Sequence, residues 1–308
     1  MQKAYTAADD GEVHHYTDTT GLIGIIQGKK LWATNIQFLN DSLEYDFGLQ
    51  RVTDALRNSF DKLKTAESAD ESSASELEKS LEVAIGLLEG KGGNPKDGQF
   101  VCCLSNFGDD LGQWRGYAQE GYCITFDRDE LTESIAESQD DERSVRHGNV
   151  TYGPGYDWGV GHVTDEVLSR MHEIVSDPDV DLKKYRFLES DPTFGEIVRD
   201  RNRPLLASIT CIAAVQSSIP FQKEDGFVNE QEMRLCVSHP GEVKFRPSKI
   251  GPIPYVELEF NPASIKAVTV GPGLNIELRQ STLEYLLAHE FGKDHTIEVK
   301  KTALSFRG

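Results

Sequence analysis

Polar and apolar residues alternate along several short stretches. The runs "EVHHYT" (12–17), "KLWATN" (30–35), "YVELEF" (255–260), "IKAVTV" (265–270) and "HTIEVK" (295–300) predict strands, and "QFVCCLS" (99–105) and "GYCITFD" (121–127) are apolar enough for a central strand and its neighbour. "FVNEQEMRLCV" (227–237) alternates more regularly still, so one strand there sets Glu230, Glu232, Arg234 and Cys236 on one face and Met233, Leu235 and Val237 on the other. Helical spacing takes over in "GLIGIIQ", ended by Gly28, and in "LNDSLEYDFGLQRVTDALRNSF", where Asp41 followed by Glu44 resembles a capping box opening a helix that runs to about Phe60. A second helix, "ELEKSLEVAIGLLEG", ends in the loop "GKGGNPKDG", giving a helical hairpin inserted between strands. "DDLGQWRGYA" reads as a short helix and "IELRQSTLEYLLAHEF" as a longer one, while 163–217 is helical with breaks near Pro178, Pro192 and Pro204. Strands and helices interleave without a regular βαβ repeat. The fold class expected is therefore α+β, with a mixed, largely antiparallel sheet system and helices around it.

Composition changes this picture little. The 308 residues lie between one large domain and two average ones, and 38% hydrophobic content suffices for an ordinary core. The five cysteines (Cys102, Cys103, Cys123, Cys211, Cys236) form no CxxC pair and fit core fillers in a reducing cytoplasm. No charged-then-apolar leader and no apolar run near the roughly 20 residues of a membrane span are evident, so the expectation is a cytoplasmic protein without a membrane partner. A net charge of -19 disfavours sequence-blind coating of nucleic acid. Arg199, Arg201 and Arg203 in "VRDRNRP" make better sense as a solvated helix face, and 128–143 is acidic enough for a solvated surface helix and loop.

The candidate chemistry is sparse. "CLSNFG" around Ser105 is no nucleophile elbow, "VGPGLN" lacks the glycines of a dinucleotide fingerprint, and His289, Glu290 and His295 miss the HExxH register, so a metal site is not expected. His15 and Tyr16 offer hydrogen bonds and a flat ring on the first strand; Ser105, Trp114 and Tyr117 could line a pocket. Asn40, Asp41 and Glu44 cluster, but capping accounts for two of them. Glu230 and Glu232 on one strand face repel unless they meet a cation, for which Arg234 or Lys223 would serve on an exposed sheet.

In their order, "HHYT", "KLWATNIQFLNDSLEYDFG", "FVCCLSNFGDDLGQWRGYAQEGYCITFD", "IPFQKEDGFVNEQEMRLCV", "GPIPYVELEF", "VTVGP" and "ALSFRG" resemble a bacterial family catalogued as domain-of-unknown-function family 2971. The layout is also similar to the ADP-ribosyltransferase fold, which implies split sheets in a single domain over 1–308, with a helical insertion at 61–98 and an acidic, helical elaboration at 128–200. It further implies NAD as substrate, with His15 and Tyr16 at a ribose, Ser105 with Trp114 or Tyr117 at the nicotinamide, and Arg234, Lys223 or Arg307 at the pyrophosphate. Glu232 would serve the reaction centre and Glu230 the acceptor. Mutual repulsion would raise one carboxylate toward general-base values. The implied activity is cleavage of the nicotinamide glycosidic bond and transfer of ADP-ribose to a protein or nucleic-acid acceptor, as in a toxin or phage-defence effector with an antitoxin or other partner protein. Two alternatives stay open: a nucleotide-sensing module without turnover, and an interaction scaffold docking through the hairpin at 41–90.

Overall fold

The computed structural model describes residues 11–39, 44–65, 71–89, 98–138, 144–153, 157–176, 202–238 and 241–304. Its strands are β1 (Glu12–Thr17), β2 (Lys30–Asn35), β3 (Gln99–Ser105), β4 (Tyr122–Asp127), β5 (Ser144–Asn149), β6 (Thr151–Tyr152), β7 (Gln222–Lys223), β8 (Glu232–Ser238), β9 (Lys244–Ser248), β10 (Gly251–Glu259), β11 (Ile265–Val270) and β12 (Glu298–Lys301). They belong to two compact units, one built from 1–41, 96–150 and 226–308, the other from 42–95 and 151–225.

The first unit is a ten-stranded sheet with helices, in the path β12-β11-β4-β1-β3-β2-β10-β9, with β8 and β5 added beside β3. All its ladders are antiparallel except β11–β12. The α+β class and the mixed, largely antiparallel sheet are thus observed. The sheet is single and it forks at β3. One edge of β3 pairs along its whole length with β8, whereas the other meets β2 only at Phe100 and Val101 and β1 only at Ser105.

Alternation decides the burial. Val13, Phe100, Cys102, Leu104, Ile124, Phe126, Met233, Leu235, Val256 and Val268 share one face and form the main core with Leu22, Ile25 and Ile26 of the helix Thr19–Gly28 and Leu283 and Leu287 of the helix Ile276–Phe291. The opposite face carries a smaller cluster of Tyr16, Trp114, Ala118 and Cys123, against which Leu304 packs. Burial pushes the Cys102, Cys123 and Cys211 thiols up to about 12, as apolar surroundings disfavour a thiolate.

Three expectations change. The strand predicted over 227–237 starts only at Glu232; residues Asp225–Glu230 form a 3-10 helix, and Gln231 sits at φ 44°. A left-handed residue between them cancels simple alternation, so Glu230 is not a strand neighbour of Glu232. The helix Arg128–Glu137 is a surface helix with its acidic face solvated, but Leu131 and Ile135 enter the main core, and the following segment is the strand β5, which extends the sheet beyond β8. The weakly patterned β5 and β9 gave no strand signal in the sequence.

The second unit packs the helices Glu44–Thr65, Glu71–Glu89, Asp157–Ser176 and Arg203–Ser218 together, with β6 and β7 paired in parallel. Contrary to the apolar-run expectation, Arg203–Phe221 is long and apolar enough to cross a membrane by length and composition. Here Leu206, Ile209, Cys211 and Val215 are buried, and Ser208 donates to the Ser80 carbonyl of a neighbouring helix (2.8 Å), the packing of a core helix. Glu44, at the start of its helix, lies 3.6 Å from Lys223, with both side chains about 95% buried. Asn40, Asp41, Arg199, Arg201 and Arg307 lie outside the described residues.

Candidate functional site

The site grows from the row of residues opposed across β1, β3 and β8. His14 faces Ser105, and Ser105 faces Glu232, so these three side chains leave the same face of the sheet. The next pair on that face of β3 and β8 is Cys103 with Arg234. Glu232 and Arg234 are both buried, and the guanidinium Nε donates to the Glu232 carboxylate at 2.6 Å, with a terminal nitrogen on the same oxygen. The pair satisfies two charges that would otherwise be costly to bury. Arg234 therefore answers the question of what Glu232 meets, and its charge is directed at that carboxylate.

Glu230 reaches the same place by a different route. Its carbonyl accepts from the Ser105 hydroxyl (3.1 Å) and from Gln113 Nε2 (3.2 Å), and its carboxylate accepts from the Tyr117 hydroxyl (3.0 Å). Backbone N–H of Asn106 donates to the Gln231 carbonyl (2.8 Å), fixing the turn that Gln231 makes. Burial raises the Tyr117 phenol, and the nearby Glu230 carboxylate, followed by Glu232, raises it further, so it remains a donor. Tyr117 is 41% exposed as a residue and stands beside the two glutamates.

The segment bearing these groups runs from Asn106 to Gly121. Asp110 caps the turn Leu111–Gln113 by accepting from the Gln113 N–H, and a π-helical turn, Trp114–Ala118, follows. The wider turn directs Trp114 inward, fully buried, and Tyr117 outward; such π turns are frequent at functional sites. Tyr16 sits beneath, edge-on to Trp114 with ring centroids 4.9 Å apart, its hydroxyl donating to the Phe107 carbonyl (3.0 Å) and accepting from the Asp110 N–H (2.9 Å). Tyr16 and Trp114 are thus the support of the segment, and the outward ring is Tyr117.

His15 shares the face of Val13, opposite to Ser105 and Glu232. Its ring lies at the fork, where Nδ1 donates to the Cys103 carbonyl (3.3 Å), a group on the β3 edge that neither β1 nor β2 pairs. Burial lowers the imidazole below its usual value, opposed by that bond, so the ring is neutral at pH 7. The histidine in the row is instead His14, buried, bonded to the Thr125 hydroxyl (3.1 Å) and touching Gly108, where an added Cβ would come within 2.8 Å of the ring. Glu230, Glu232, Ser105, Tyr117 and Arg234 are brought together; Lys223 is engaged with Glu44 in the other unit. Sequence reasoning passed over Gln113, although its spacing from Asp110 is that of a capping box.

The matched family now has a place in this geometry. Residues 113–235 match the model of a family described as "Protein of unknown function (DUF2971)". This stretch holds Gln113, Trp114, Tyr117, Glu230, Glu232 and Arg234, and it supports the resemblance to that family there. No curated protein and no solved structure matches the chain.

Proposed function

We propose that the chain is an ADP-ribosyltransferase that consumes NAD. The observation that carries this reading is the meeting of Ser105, Tyr117, Glu230 and Glu232, two carboxylates beside a hydroxyl and a half-exposed aromatic ring. In the proposed reaction the C–N bond between ribose and nicotinamide breaks, its electron pair goes to the ring nitrogen, and nicotinamide leaves neutral. Positive charge then develops on the ribose, where the Glu232 carboxylate, held by Arg234, stabilises it, as in glycoside hydrolysis. A nucleophilic atom of the acceptor bonds to the anomeric carbon, and its proton passes to the Glu230 carboxylate, aligned by Tyr117. Nicotinamide stacks on Tyr117, whereas His15, on the other face of the sheet, holds the Cys103 carbonyl and takes no part in ribose binding. A protein or nucleic acid is the acceptor, and a toxin or defence effector is the setting that such chemistry suits.

Labelled NAD incubated with the folded protein and a cell lysate tests this. Nicotinamide release with label transfer is expected. Glu232→Gln should lower release by 100-fold or more, about 3 kcal/mol of transition-state stabilisation, whereas Glu230→Gln should lower transfer more than release. Absence of both release and transfer in every fraction would overturn the reading.

The burial of Glu232 against Arg234 favours a second reading, a module that holds a nucleotide without turning it over. It is distinguished by a rise in melting temperature with NAD while no nicotinamide appears.

A further inference from the structure

Asp109 ties the end of the chain to the segment that holds Glu230. It stands at φ 57°, a left-handed conformation that Asp tolerates better than most residues. One carboxylate oxygen accepts from Trp114 Nε1 (2.9 Å) and from the Thr302 hydroxyl, and the other accepts from the Ala303 N–H (2.7 Å). Thr302 also donates its N–H to the Val270 carbonyl (3.0 Å), so the strap leaves the sheet immediately after β12. Leu304, bonded through its N–H to the Thr302 hydroxyl (3.0 Å), packs on Tyr16, Trp114, Ala118 and Cys123. A single carboxylate therefore joins the chain end to the π turn, and that turn carries Tyr117 one turn from Gln113. Both of these side chains bond Glu230.

We propose that Asp109 is a positioning residue, and that the strap Thr302–Leu304 sets the alignment of the Glu230 carboxylate through it. On the reading given above, from which the catalytic consequence follows, the strap governs how the ribosyl cation is partitioned. With Glu230 aligned, the acceptor captures it; with Glu230 loose, water does. The bond balance is the same in both cases, since the nucleophile's proton leaves and the anomeric carbon gains one oxygen or nitrogen bond.

Asp109→Gly removes the carboxylate while keeping a residue that adopts positive φ without strain. It is compared with Thr302→Val and with a chain ending at Lys301. Two measurements are made: amide hydrogen exchange over 106–121 and 228–231, and the ratio of labelled transfer to nicotinamide release. Asp109→Gly and the shortened chain should each speed exchange in both segments by about tenfold or more, as expected for losing bonds to a charged acceptor, with β4 and β11 unchanged. The transfer-to-release ratio should fall several-fold, release dropping less than transfer as Tyr117 loosens with the turn, and Asp109→Asn, which retains one accepting oxygen, should restore part of it. Unchanged exchange at 228–231, or release and transfer falling in proportion, overturns the proposal. If the wild-type protein has no action on NAD, the ADP-ribosyltransferase reading fails, while the exchange comparison still decides whether the strap holds Glu230.

Discussion

His15 shows how one ring records both its surroundings and its partner. Its native state disfavours the proton, because burial lowers the imidazole and the bond to the Cys103 carbonyl only partly offsets this. An unfolded chain takes up that proton near 6.5, the ordinary value. Below that pH the unfolded state binds more protons, so the stability contribution is complete above 6.5 and is lost as the pH falls beneath it. Denaturant titrations at pH 7 and pH 5 should show His15→Asn losing less stability on acidification than wild type. An equal loss in both would remove the ring from the account. The glutamates teach a related lesson, because Glu232 finds its counter-charge two residues along its own strand, whereas Glu230 finds a phenol across the turn.

At the scale of elements, the helix Glu44–Thr65 is tied to the short strand β7 by the Glu44–Lys223 pair. Lys223→Met breaks an ion pair about 95% buried and should cost about 3–5 kcal/mol. The double variant Glu44→Leu, Lys223→Met should recover most of that loss, as measured by urea unfolding; additive losses would contradict it. Much of this level was legible beforehand. β1, β2, β3 and the helix Ile276–Phe291 lie where the sequence places them, the strands because they are apolar and β-branched or aromatic enough for a sheet covered on both faces. "FVNEQ" misled because its alternation is broken by a backbone angle at Gln231, which no side-chain pattern encodes. β5 and β9 escaped because their partners in the sheet, rather than their own residues, make them strands. For the site, Glu232, Ser105 and Tyr117 were legible as residue types and Arg234 as a counter-charge for the glutamates, but the face of His15 and the burial of the Arg234–Glu232 pair depend on register and on what packs over the sheet.

For the whole molecule, a net charge of -19 opposes the approach of an anionic dinucleotide. On the proposed reading, the KM for NAD should therefore fall as salt is raised from about 0.02 M to about 0.15 M, where the Debye length shrinks to about 8 Å. A KM that climbs over this range would mean that local cations dominate the encounter. The fork at β3 bears on another property of the folded chain. Bare main-chain acceptors along a strand are adhesive, ready to recruit a foreign strand and begin an assembly. At Cys103 an imidazole occupies that acceptor, so the gap between β1 and β2 is stoppered from within and gives a stray peptide little to grip.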